Sequence, residues 1–305
     1  MKKGEFSLKK IDIHCHVYAL TENSSRCLNV DTRRMSPEDQ IEIFDKLNVE
    51  KGVILPLITS THPDGLSVIE NCRYIVDKYP DRFAWFCNFD PCSEGFGATI
   101  DLSKHIGQFK ELGAKGVGEV TIPLYADSDV MDNLFYHCAE CDMPVLIHIG
   151  TTLEEKYGIV DEKGLPRIER MLKKHKNLRI IGHSAAFWCE ISENGYPDDR
   201  NGYPEGRVSD GRLASLFREY GNLYCDLSAG SGSNAMMRDR EYAAKFLTEF
   251  ADRIYYGTDV SDKMQTFQYV FDDFLTGLVT DKMISDEVYE KIVYKNATKL
   301  LGIEE

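Results

Sequence analysis

Two histidines one residue apart, His14 and His16, close the apolar stretch "KKIDIHCH". On an extended strand alternate side chains share a face, so both imidazoles project together while Cys15 points away, a geometry that suits a metal ion. Two more histidines, His148 in "MPVLIHI" and His183 in "LRIIGHS", stand at the ends of similar apolar runs, as do Glu119 in "AKGVGEV" and Asp259 in "RIYYGTD". Nitrogen and oxygen donors of this kind take a divalent transition metal, zinc first with iron or manganese as alternatives, and leave a position for water. Carboxylates gathered there without a cation would be poorly compensated. His105, His137 and His175 fall within helical patterns and read as surface or groove residues, while His62 in "STHPDG" is a lesser candidate for a substrate contact.

Side chains this far apart in the chain need a scaffold that brings them to one place. Short apolar runs recur from "KKIDIHC" to "RIYYGTD" with helical stretches between them, the pattern of repeated β-α units. Ser36 followed by Pro37 marks a helix start, and Gly113 marks a helix end. The simplest architecture is one (β/α)₈ TIM barrel spanning residues 1–305, whose catalytic rim lies at the carboxyl ends of the strands. That is where the two acids and four histidines fall. Alternation along the last strand puts Tyr255, Gly257 and Asp259 on one face, with Tyr256 and Thr258 on the other. A polar, turn-rich segment at about 189–211 is too long for an ordinary connection, and its place after a strand makes it a cover for the substrate. Around this rim Trp188 is expected to wall the pocket and Arg207 to pair a substrate carboxylate, with Ser228 and Asn234 of the glycine-rich "SAGSGSNA" as further contacts.

Composition narrows the partners. Lys plus Arg number 36 against 50 Asp plus Glu, a net charge of −14, and such a field repels nucleic acid and anionic membrane surfaces. A small molecule is the expected substrate. The opening residues hold no apolar stretch long enough for a signal peptide and no later run approaches a membrane span, so a cytoplasmic protein is expected. Nine scattered cysteines, Cys138 and Cys141 at helical spacing among them, give neither a disulfide framework nor a zinc knuckle.

Taken together, the H-x-H of the first strand, the histidines of the fifth and sixth and the aspartate of the eighth resemble the amidohydrolase superfamily. The texts "PDRFAWFCNFDP", "RIIGHSAAFW" and "NATKLLGI" are similar to its branch containing aminocarboxymuconate-semialdehyde decarboxylase, and the resemblance spans nearly the whole chain. It implies that His14, His16, His148 and Asp259 hold one metal, that His183 acts in catalysis and that a homodimer is a common assembly. Glu119 departs from that branch. "GVGEV" is also similar to metal-dependent deoxyribonucleases of the TatD type, although the charge opposes a DNA substrate. With Glu119 the site has two alternatives. His14, His16 and Asp259 hold one ion and His148 and His183 a second with Glu119 between, or Glu119 forms a salt bridge within the barrel.

Hydrolysis is the leading expectation: a metal that lowers the pKa of water toward roughly 7 supplies hydroxide to attack an ester, lactone or amide carbonyl. Asp259 would move the water proton and His183 polarise the oxyanion. Nonhydrolytic decarboxylation, favoured by the resemblance, is the alternative, and a noncatalytic metal-binding scaffold is the third.

Overall fold

Strand and helix alternate as the apolar pattern requires. The computed structural model describes residues 8–20, 34–58, 67–93, 95–194 and 200–303. All eight expected strands form: β1 (Lys10–Cys15), β2 (Val49–Ile54), β3 (Phe83–Trp85), β4 (Val117–Val120), β5 (Val145–Gly150), β6 (Ile180–His183), β7 (Leu223–Asp226) and β8 (Ile254–Tyr255). Neighbours within β1–β3 and within β4–β8 pair in parallel. A bridge between Cys87 and Val117 joins the two groups. Across the remaining seam, Ile13 N–H donates to Tyr256 O at 3.0 Å and Asp259 N–H to His14 O at 2.9 Å, which completes the circle of a TIM barrel. A two-residue strand, Ile159–Val160, adds to β5.

Helices α1 (Pro37–Leu47), α2 (Ile69–Lys78), α3 (Ser103–Glu111), α4 (Asp129–Glu140), α5 (Pro166–Lys174), α6 (Arg212–Glu219), α7 (Arg240–Glu249) and α8 (Phe267–Thr280) follow the strands in turn. The Ser36 hydroxyl accepts from Asp39 N–H at 3.0 Å, the cap its sequence announces. Gly113 takes φ +97° beyond the end of α3. After α8 comes a further helical segment, residues 286–301. The glycine-rich "AGSGSNAMM", whose composition reads as a turn, forms helix Ala229–Met237.

Alternation divides the interior. Ile11, Ile13, Val53, Leu55, Phe86, Leu146, Ile181 and Tyr255 form one buried cluster together with Ala297, Leu300 and Leu301. Their alternates, such as Ile54, Trp85 and Tyr256, belong to the larger core shared with the helices, as does Cys15, which follows a break in the β1 register. Thus Tyr255 and Tyr256 separate as the sequence suggests. The eight cysteines among the described residues are free. Among the described residues no helix is long and apolar enough to cross a membrane.

Candidate metal centre

The barrel brings His14, His16, Glu119, His148, His183 and Asp259 into one cluster. Strand register sets part of this, because His148 and His183 are direct partners across β5 and β6. Gly118 supplies another part: at φ +144° it lets the chain pass β5 where an added Cβ would lie 2.6 Å from Leu146 O, and Glu119 turns inward just after it.

The facing atoms form a small cage. His14 Nε2 and His16 Nε2 are 3.3 Å apart. Glu119 Oε2 lies 3.4 Å from His16 Nε2 and 3.7 Å from His14 Nε2. Asp259 Oδ1 lies 3.3 Å from His16 Nε2 and 3.7 Å from His14 Nε2. Four donors about 2.0–2.1 Å from a tetrahedral zinc ion stand about 3.3–3.4 Å from one another, so the spacing fits such an ion with little adjustment. On the far side of Glu119, Oε1 is 2.7 Å from His148 Nδ1 and 3.9 Å from His183 Nε2. Glu119, His148 and His183 therefore form a second group of converging donors, with one carboxylate turned toward both groups.

Hydrogen bonds behind the cage fix which nitrogens point inward. Asp226 Oδ2 accepts from His14 Nδ1 at 2.7 Å and Asp226 Oδ1 from His183 Nδ1 at 3.0 Å. Leu55 O accepts from His16 Nδ1 at 3.0 Å. When neutral, with their protons on Nδ1, all three rings offer an Nε2 lone pair to a bound ion. Asp226 is buried and also accepts from the Ser228 hydroxyl at 2.7 Å. His14, His183 and Asp226 also lie close enough to suggest a third metal group. Asp226, however, already accepts a hydrogen bond from each ring, so this trio is a supporting network.

Charge follows from burial. Burial would raise the Asp226 carboxyl, yet His183 and His14 hold it well below the usual carboxylate range. Burial opposes ionisation of Glu119 as well, and is outweighed by His14, His148 and His16. Asp259 is lowered in the same way, chiefly by His14 and His16 acting against burial. Burial works to lower His16, but Asp259 and Glu119 lift its imidazolium to about 9. Deeper still, burial pushes Asp12 up to about 6, although its carboxylate accepts from Thr258 Oγ1 at 2.5 Å and from His14 N–H at 2.9 Å.

The substrate contacts expected from sequence fare differently. Ser228 is fully buried against Asp226, His14 and His183, so it supports the histidines and faces no substrate. Arg207 is 87% exposed beside Glu241 at 3.8 Å, a surface arginine that does not reach the cluster. Trp188 and Asn234 line a small cavity with Tyr203, and Trp188 Nε1 makes no hydrogen bond to the cluster. His62 lies outside the described residues. The long segment after β6 includes a short helix, Ala185–Trp188, and is held by Arg200, which pairs with Glu190 at 3.0 Å.

Sequence reasoning missed Asp226, Asp12 and Tyr157. Asp226 ends β7 and could have been found by the rule that found Glu119. Asp12 stands two residues before His14 on β1 and accepts from its backbone N–H at 2.9 Å. Tyr157 reaches the site from the connection after β5, its ring centroid 4.7 Å from that of His148 and its hydroxyl 3.5 Å from Glu119 Oε2.

A parallel β/α barrel with imidazoles and carboxylates converging at the carboxyl ends of its strands is the architecture of a metal-dependent enzyme. The chain belongs to the amidohydrolase family, whose model matches residues 11–303 (Amidohydro_2). Members are enzymes, hydrolases or decarboxylases, that use a divalent metal. Similar solved structures include an uncharacterised TIM-barrel protein from Bordetella bronchiseptica, 18% identical, covering 97% of this chain and 99% of that one with a TM-score of 0.67. A candidate 2-pyrone-4,6-dicarboxylic acid hydrolase from Pseudomonas putida is 14% identical over 98% and 99% of the two chains, TM-score 0.62. A dihydroxybenzoic acid decarboxylase from Polaromonas, solved with manganese and 2-nitroresorcinol, is 17% identical over 97% and 98%, TM-score 0.58. No curated protein matches the sequence.

Proposed function

We propose that this amidohydrolase is a metal-dependent hydrolase acting on the ester, lactone or amide carbonyl of a small, locally uncharged substrate. The observation that carries the proposal is the sign of the site. Glu119, Asp226 and Asp259 are gathered in one mouth, and among the described residues their ion pairs are with histidines alone. Among the described residues no lysine or arginine pairs with these acids, so a substrate carboxylate would have to be received by the metal charge alone, whereas a neutral carbonyl needs no such partner.

His14, His16, Asp259 and Glu119 would hold a divalent ion, zinc first, and His148 and His183 a second that shares Glu119. When bound, such an ion acidifies water toward neutrality and polarises a carbonyl oxygen. Asp259 is the proton carrier: Oδ1 faces His16 at 3.3 Å while Oδ2 lies 3.7 Å from His183 Nε2, so one carboxylate spans the cage and the acid–base histidine. It takes a proton from water and delivers it to the departing oxygen or nitrogen. His183 Nε2 faces the same space, and would stabilise the carbonyl oxygen in a one-ion site or ligate the second ion in a two-ion site.

The test is a panel of lactones, esters, amides and carboxylic acids incubated with metal-replete protein in heavy-oxygen water. Incorporation of solvent oxygen into a product acid supports the proposal. Carbon dioxide release without solvent oxygen in the product replaces it with decarboxylation.

A further inference from the structure

Tyr157 stands at the edge of the metal centre, and neither metal holding nor proton transfer uses it. It comes from the connection after β5, where the backbone is pinned on both sides. Gly158 N–H donates to Thr121 O, just beyond β4, at 2.7 Å, and Ile159–Val160 pairs with β5. Gly158 takes φ +98°, a conformation open to glycine, and an added Cβ there would lie 2.7 Å from Gly150 N and 3.1 Å from His148 Cδ2. The chain therefore folds back onto the carboxyl ends of two strands, and a tight turn holds the tyrosine in place.

The side chain faces the ligands. Its ring centroid lies 4.7 Å from that of His148 with the planes at 75°, and its hydroxyl stands 3.5 Å from Glu119 Oε2. Oε2 is the Glu119 oxygen turned toward His14 and His16, so one phenol touches a member of each group of donors. The hydroxyl contact is longer than the roughly 2.7–2.8 Å of a tight O–H···O bond, so Glu119 holds it loosely.

The cage itself presents lone pairs. Neutral His14 and His183 donate from Nδ1 to Asp226 and His16 donates to Leu55 O, all pointing away from the mouth, and carboxylates only accept. A carbonyl oxygen that gathers negative charge needs donors aimed at it. A phenol, with an ordinary pKa of about 10, brings an O–H at neutral pH. We propose that Tyr157 is a catalytic hydrogen-bond donor whose hydroxyl stabilises the substrate carbonyl oxygen as charge builds on it. The proton stays on the phenol, while Asp259 carries the proton that moves. This role rests on the hydrolytic function proposed for the site.

Tyr157→Phe removes the hydroxyl and keeps the ring against His148. Zinc-loaded wild type and variant are compared on the panel compound hydrolysed fastest, and in calorimetric binding of acetohydroxamate, a small carbonyl compound that binds zinc through its oxygens. Turnover is expected to fall about 10²–10³-fold, the range for one lost oxyanion donor, with little change in the Michaelis constant. Acetohydroxamate affinity should fall about tenfold, the worth of one hydrogen bond, while zinc affinity measured by dye competition stays at the wild-type value. Equal turnover and equal acetohydroxamate affinity in the two proteins overturn the proposal and leave hydrolysis standing. Loss of turnover matched by loss of zinc affinity overturns it too, making Tyr157 a support for Glu119. A wild type that hydrolyses nothing in the panel overturns the hydrolytic reading itself, and with it the role of Tyr157 at the carbonyl oxygen.

Discussion

Replacing Asp226 by asparagine tests how the cage is set. The carboxylate accepts from His14 Nδ1 at 2.7 Å, His183 Nδ1 at 3.0 Å and Ser228 Oγ at 2.7 Å, and all of these groups are buried. Asparagine keeps the shape but has one accepting oxygen and one donating nitrogen. One of the two imidazoles must then present a lone pair on Nδ1 and carry its proton on Nε2, the atom that faces the cage. Loss of such an outer partner weakens metal binding about 10–100-fold. That factor corresponds to about 1.4–2.8 kcal/mol. Zinc affinity measured by competition with a chelating dye at pH 7 reads the loss, and long-range nitrogen NMR of the histidines in zinc-loaded protein reads which ring nitrogen carries the proton. Wild-type affinity together with both rings still protonated at Nδ1 would refute the role given to Asp226. Tautomer exchange without a change in affinity would separate the hydrogen-bond network from metal holding.

Five further outcomes follow from the same geometry. Asp259→Asn should lower turnover by about 10²–10⁴-fold, the range for loss of a proton carrier, while circular dichroism stays native. Glu119→Gln, which removes the shared carboxylate, should cost at least one bound ion by elemental analysis of the dialysed protein. Metal binding should release protons near neutral pH, because His16 is lifted to about 9 without metal and must be neutral to ligate. The sign runs the same way for the metal-free fold: stability from protonated His16 is complete below its unfolded value of about 6.5 and is lost as pH rises through about 9. Calorimetry in buffers of different ionisation enthalpy and thermal melts across that window check both effects. Arg207→Ala should leave the Michaelis constant unchanged for acidic and neutral substrates alike, since its side chain is 87% exposed.

The metal-site candidates were legible because two local rules coincide. Strand alternation puts His14 and His16 on one face, and the barrel places strand carboxyl ends at one rim, so His148, His183, Glu119 and Asp259 could be gathered without knowing any contact. The strand-end rule applies equally to Asp226 in "NLYCDLS", whereas Asp12 in "KKIDIHC" stands inside its strand and follows from neither rule. Both support ligands, a role that shows only once hydrogen-bond partners are known. Helix Ala229–Met237 was hidden by glycines that normally break helices. Here Gly232 passes so near Leu227 that a Cβ would sit 2.5 Å from its carbonyl carbon, so close packing outweighs propensity. Helix α8 begins without a side-chain cap, which removed the usual start signal. Arg207 was chosen for its place in the long loop, yet its side chain stands in solvent, and no local pattern encodes burial on an irregular segment.

An anomalous-scattering map at the zinc edge of crystals grown from purified, zinc-replete protein addresses the central claim most directly. The account predicts one peak within coordination distance of His14 Nε2, His16 Nε2, Asp259 and Glu119, and a second between Glu119, His148 and His183. A map without a peak at the first position, with Glu119 and Asp259 still paired only to histidines, would contradict it.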